Sequence, residues 1–271
     1  MPLVNTGQLI QDQGFVLAVN VITLEQAEAY IIAAENMRAG LVLQLSENTI
    51  LFHGSIEPLG KALLTLANQS TMPIAVHLDH ATDAELVLLG ANLGFSSVMF
   101  DGSHLDYEAN VAETKRLNVS LGDSIWFEAE LGEVGGKDGV HAPGVRTDPI
   151  EAAKFVDATG VDGLAVAVGS SHAMVEKSAV LDLGLIARLR GSVKVPLVLH
   201  GSSGVSHEML REAIASGIGK INIATELNLV YNQVVANEIE NSQADPRKYL
   251  RPARKQLSEY LFDLHQKLVA P

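Results

Sequence analysis

Along the chain, short apolar runs alternate with longer, helix-like segments. The runs fall at 15–20 (FVLAVN), 41–45 (LVLQL), 73–78 (PIAVHL), 96–100 (SSVMF), 125–129 (IWFEA), 163–168 (GLAVAV), 196–200 (PLVLH) and 219–223 (GKINI). Each is rich in β-branched or aliphatic residues and apolar almost throughout, as a parallel strand covered on both faces must be. The segments between them carry helix signals. Thr23–Gln26 and Thr82–Glu85 read as capping boxes, and Asp148-Pro149 followed by Glu151 reads as an N-cap with proline in the first turn. Gly40, Gly94, Gly160 and Gly217 each stand where a helix should stop before the next strand.

Eight such βα units predict an α/β chain folded as a (β/α)8 TIM barrel, with an open doubly wound sheet as the alternative. No break in composition divides the chain, so residues 1–271 are expected to form one domain. Two segments fall outside the repeat. Residues 131–147 contain five glycines and read as a mobile loop at the active site. Residues 245–268 read as an added C-terminal helix.

Composition narrows the function. Apolar residues make up 47% of the chain, enough for a sizeable core, and the net charge is −13. That charge argues against nucleic acid and anionic membranes as partners, so any phosphate must be held by local devices. Cysteine is absent, which excludes disulfides, thiolate metal sites and thiol nucleophiles. No signal-peptide pattern is visible in residues 1–13 and no run is long enough to span a bilayer. A cytoplasmic location is the corresponding expectation.

Polar residues gather at the C-terminal ends of the predicted strands. They are Asn20, Ser46, Asp79 with His80, Asp101, Glu130, His172, His200 and Asn222. In a barrel these positions share one mouth. Three histidines there suit a catalytic metal with an open coordination position, although any one of them taken alone is better explained by packing. His77, inside a strand, reads as a packed or supporting group, and so does Lys220. Gly201-Ser202-Ser203-Gly204 after the seventh strand suggests an anion cradle leading into a helix, completed by Ala224-Thr225. An ordinary left-handed turn accounts for it equally well.

The ordered motifs His77-Leu-Asp-His80, Asp101-Gly-Ser-His104, Glu128-Ala-Glu-Leu-Gly132, Gly169-Ser-Ser-His172, Leu199-His-Gly201 and Lys220-Ile-Asn222 resemble class II fructose- and tagatose-bisphosphate aldolases. The resemblance covers nearly the whole chain, including Asp245–Leu250. It implies Zn2+ on His80, His172 and His200, with Asp101, Asp106 and Glu130 as further candidate ligands. It implies Asp79 as the acid/base at the C4 hydroxyl and Asp138 as a second acid/base, in place of the family's loop glutamate. Gly201, Ser202, Ser203, Ala224 and Thr225 would hold one phosphate, with Asn20, Ser46 and Asn222 around the substrate. Ala173 stands where the family carries glycine, beside a monovalent cation (Na+ or K+). Arg247 matches an arginine that reaches a neighbouring subunit's site, which implies a homodimer or homotetramer. Without the resemblance, Arg247 reads as a surface residue. The expected substrate is a phosphorylated sugar; another zinc-dependent barrel lyase or hydrolase, or a non-catalytic metal-binding barrel, is the alternative.

Overall fold

The computed structural model describes residues 3–132, 146–172, 174–240 and 244–270. Eight parallel strands form a closed barrel in sequence order: β1 (Val16–Asn20), β2 (Leu41–Ser46), β3 (Ile74–Ala81), β4 (Ser97–Phe100), β5 (Trp126–Leu131), β6 (Gly163–Val166), β7 (Leu197–Leu199) and β8 (Ile218–Ile223). Pairing of Val16–Val19 with Lys220–Ile223 joins the first strand to the last, so the open-sheet alternative is excluded. The crossovers supply α2 (Leu24–Met37), α3 (Glu47–His53), α4 (Glu57–Gln69), α5 (Ala84–Leu93), α6 (Tyr107–Leu121), α7 (Pro149–Thr159), α8 (Leu183–Ser192), α9 (His207–Ser216) and α10 (Thr225–Ile239). A last helix, α11 (Arg247–Val269), buries Ala253, Leu257, Leu261, Leu264 and Leu268 and packs against α2 and α10. Among the described residues, no helix is long and apolar enough to cross a membrane.

Most helix ends follow local chemistry. Gln26 Oε1 accepts from the N–H groups of Ile22 and Thr23 at the start of α2. Asp148 accepts from Ile150 and Glu151 at the start of α7. The Thr82 box is different: Asp83 caps α5 by accepting from Glu85 N–H, while Thr82 donates its N–H and hydroxyl to Glu47, just past the end of the neighbouring strand β2. Gly94 and Gly160 end their helices in the left-handed conformation. Gly40 does not; α2 ends at Arg38, whose φ is 55°. What Gly40 provides is room, since a Cβ there would lie 2.4 Å from Leu9 Cδ2.

That contact belongs to an element the pattern did not reveal, α1 (Thr6–Gln13). It lies across the N-terminal end of the barrel. Thr6 N–H bonds Ser97 Oγ, Gly7 rests against the Trp126 ring, and Leu9 packs with Val16, Ala18, Val42 and Ala75. A polar helix with one buried leucine carries little periodic signal. Its fold comes from this docking and from Asn5, which accepts from Gln8 N–H.

β3 runs three residues beyond the predicted run and takes in Asp79, His80 and Ala81. His80 has φ 53°, and the β3–β4 register shifts between Leu78 and Ala81. This irregularity allows Asp79 and His80, adjacent in sequence, to serve the same mouth, where a regular strand would send them to opposite faces.

Candidate active site

Alternation along the strands builds the bore in layers. One step below the mouth lie Gln44, His77, Glu128 and Lys220, all completely buried. Lys220 Nζ donates to Glu128 Oε2 at 2.7 Å, and His77 Nε2 is 3.4 Å from Nζ. Burial would raise the Glu128 carboxyl, but Lys220 and His200 outweigh it and hold the group down at about 2. Burial, reinforced by Lys220, pushes His77 down to about 3.

Above this layer, donor nitrogens of His80, His172 and His200 lie within 4.8 Å of one another. His80 Nε2 and His200 Nδ1 face each other at 2.7 Å. Their far nitrogens meet carboxylates: Asp101 Oδ2 is 3.0 Å from His80 Nδ1, and Glu128 Oε1 is 2.9 Å from His200 Nε2. A carboxylate on the far nitrogen fixes the ring and leaves the near lone pair for a metal. Burial, then the neighbouring His80, pushes His200 down to about 4, so at neutral pH it is the uncharged imidazole a ligand must be. Three imidazoles this close, two of them fixed by carboxylates and none replaced by a thiolate, fit a catalytic metal ion. Asp101 and Glu130 are buried and form a second metal-competent group with His80. Asp106 joins neither group. It is the exposed N-cap of α6, accepting from Ala109 N–H at 2.8 Å, and we remove it from the candidate ligands.

Asp79 is buried beside the histidines. Its two oxygens accept from Asn20 Nδ2 at 3.1 Å and Asn222 Nδ2 at 3.2 Å, and Gln44 holds Asn20 through Oδ1 at 2.9 Å. Burial would raise its carboxyl, but His80, His200, Lys220 and His77 together hold it well below the usual range. The result is an aimed, ionised carboxylate. Gln44 was missed by a reading confined to strand ends, although a glutamine inside LVLQL is a visible anomaly.

A cavity of about 490 Å³ opens over these groups. Asn20, Ser46, Asp79, His80 and His172 line it together with Gly201, Ser202, Ser203, Asn222, Ala224 and Thr225. Gly201 is required: its φ is 65°, and a Cβ would lie 2.6 Å from the Ser171 carbonyl. The expectation that this turn leads straight into a helix N-terminus needs correction. Ser202–Gly204 is one turn of 3-10 helix, and α9 starts at His207 with its own cap, Ser206. The helix end beside the cavity belongs to α10. Its N-cap is Ala224, which has no capping side chain, and Glu226 N–H donates to Ser203 Oγ at 3.2 Å. Backbone donors at such an end suit an anion.

Asp138 and Ala173 lie outside the described residues, as does 133–145 of the glycine-rich loop. The monovalent-cation expectation, tied to Ala173, therefore gains no support. Arg247 is 82% exposed, is bound by Asp245 and does not line the cavity of its own chain.

The profile described as "Fructose-bisphosphate aldolase class-II" matches residues 9–268. Among solved structures, the YdjI aldolase from Escherichia coli K12 is similar at 31% identity and a TM-score of 0.84, covering 98% of this chain and 97% of that one. A structure from Coccidioides immitis, described as a candidate fructose-1,6-bisphosphate aldolase, is 30% identical with a TM-score of 0.83, over 97% and 96% of the two chains. The fructose-bisphosphate aldolase from Campylobacter jejuni shares the fold, with a TM-score of 0.79 at 20% identity over 98% and 95%. With a histidine-lined mouth on a closed barrel and this match along nearly its full length, the chain belongs to the class II fructose-bisphosphate aldolase family.

Proposed function

We propose that this protein is a zinc-dependent aldolase that reversibly cleaves a ketose 1,6-bisphosphate, of fructose or tagatose type, to dihydroxyacetone phosphate and glyceraldehyde 3-phosphate. One observation carries the reading. Three imidazoles gather within 4.8 Å, and two of them, His80 and His172, line one cavity together with the ionised Asp79 and the N-terminal end of α10, which has no capping side chain. A hydrolase of unphosphorylated substrates has no need of the helix end.

His80, His172 and His200 would hold the zinc, with Asp101 and Glu130 behind His80. When bound, zinc supplies a Lewis acid that polarises the ketose carbonyl and offsets negative charge developing on the three-carbon fragment. The remaining work falls to the chain's side chains. Asp79, aimed by Asn20 and Asn222, takes the C4 hydroxyl proton as the C3–C4 bond breaks. Its low proton affinity keeps it in the basic form before the step. Asp138 returns a proton to the carbon left behind. Gly201, Ser202, Ser203 and Thr225 hold the phosphate of the three-carbon fragment against the first turn of α10, with Ala224 at the cap. Ser46 lies along the sugar, and Arg247 from a second copy in a homodimer or homotetramer meets the far phosphate.

The test is a coupled cleavage assay on fructose 1,6-bisphosphate and tagatose 1,6-bisphosphate, with and without chelator. Chelator-sensitive cleavage of one or both is expected. Stoichiometric zinc with neither sugar cleaved would refute the substrate while leaving the metal site standing.

A further inference from the structure

Behind the cavity lies a cluster of four side chains that the proposed chemistry does not use. Glu226 stands in the first turn of α10, next to Thr225. Its Oε1 accepts from Lys177 Nζ at 2.8 Å, from His207 Nε2 at 3.0 Å and from the Tyr260 hydroxyl. These partners come from the β6–α8 loop, the start of α9 and the middle of α11. Lys177 Nζ is also 2.9 Å from His207 Nε2 and 3.4 Å from the Val205 carbonyl. Glu226 Oε2 is buried with no hydrogen-bond partner among the described residues. Burial would raise the carboxyl, but the bonds from His207, Lys177 and Tyr260 bring it down to about 2, so it is ionised.

A carboxylate in the first turn of a helix is ordinarily favourable, because it complements the positive end of the helix dipole. Here that same end faces the cavity. Left to itself, the Glu226 carboxylate would compete with any anion for the α10 dipole and repel it at short range. The cluster prevents both. Three donors hold the carboxylate on the far side of the turn, while the Glu226 N–H remains on Ser203, a residue of the cavity wall. The same loop is stitched to the cradle by Ala179 N–H on the Gly204 carbonyl.

We propose that Lys177 is a positioning residue for phosphate. It neutralises and holds Glu226, and so leaves the first turn of α10 free to bind the substrate's phosphate. This rests on reading the cavity as a phosphate site. Lys177 does not line the cavity, so its action runs through Glu226 and not through direct contact.

A double-mutant cycle on the full-length, zinc-loaded protein tests it. The readouts are the Kd of inorganic phosphate and of dihydroxyacetone phosphate by calorimetry, KM and kcat for the cleaved ketose, zinc content and Tm. Lys177→Met is expected to raise Kd and KM roughly tenfold, the effect of one uncompensated, partly screened charge nearby, with kcat and zinc content nearly constant. Glu226→Gln should bind phosphate at least as well as the wild type. Adding it to Lys177→Met should restore binding. Lys177→Gln serves in the same cycle if the methionine variant does not stay folded. Unchanged Kd in the lysine variants, even with a lowered Tm, overturns the proposal and leaves the cluster a structural staple. A double variant as weak as Lys177→Met overturns it too, since Lys177 would then act on phosphate itself. If the wild-type protein binds neither phosphate nor dihydroxyacetone phosphate, the phosphate reading of the cavity fails first and the proposal falls with it.

Discussion

The two ends of the barrel are made by the same eight strands and divide the labour between them. At the N-terminal end, Leu9 of α1 closes the bore over Val16, Ala18, Val42 and Ala75. At the C-terminal end, two to four residues farther along the same strands, the bore presents Asn20, Ser46 and Asp79 to a cavity. Between them the interior changes character through Gln44, His77, Glu128 and Lys220, each buried. The gradient teaches that a strand's inward positions need not be uniform. Because alternate residues share the bore, one strand can contribute an alanine to packing and, four residues on, an aspartate to the cavity: Ala75, His77 and Asp79 in β3 do so in sequence.

Substitutions at the two ends should therefore fail in different ways. The largest effect is expected from His200→Ala, which removes a proposed ligand at the mouth: zinc content should fall sharply and turnover by roughly three orders of magnitude, while an active, zinc-replete variant would refute the ligand assignment. Asp79→Ala should lower kcat by about 10²–10⁴-fold with zinc retained, as metal analysis beside steady-state kinetics would reveal. Leu9→Ala acts at the opposite end. It should lower unfolding stability by about 2–5 kcal/mol in urea titrations, with kcat per folded molecule unchanged; a kinetic defect there would break the division of labour. The smallest effect concerns the middle layer. His77 is held down at about 3 against an ordinary 6.5, mainly by burial, so the unfolded chain takes up a proton that the folded one refuses. Its contribution to stability is complete above pH 6.5 and is lost as pH falls from there toward 3. Urea midpoints measured at pH 7 and pH 4 should diverge less in His77→Gln than in the wild type.

Strand positions were legible in the sequence because parallel strands buried on both faces are short, apolar and evenly punctuated. The gathering of His80, His172 and His200 was legible for a related reason: strand ends in a barrel share a mouth, so linear positions translate into proximity. Where the signal failed, it failed for identifiable causes. α1 buries only Thr6 and Leu9, which leaves no periodicity to detect. Thr82 looked like a cap, yet it spends its donors on Glu47, a partner 35 residues away that no local rule could name. The Lys177, His207, Glu226 and Tyr260 cluster joins four elements without a fixed spacing. Asp106 matched a family carboxylate by position, but its local role as a helix cap is the one its geometry serves.

Ring closure also sets an order of events in time. β1 pairs with β8, so residues 16–19 cannot complete their hydrogen bonding until residues 220–223 have been made. During synthesis, β1 therefore waits with one edge unpaired while some two hundred residues follow it. α1 waits too, because its partners Ser97 and Trp126 belong to β4 and β5. Contacts of such long sequence separation slow folding and leave apolar edges open to aggregation in the interval. The feature that finishes the active-site mouth is thus also the one that makes a nascent chain dependent on its last strand, and truncation before residue 218 should yield insoluble protein rather than a smaller barrel.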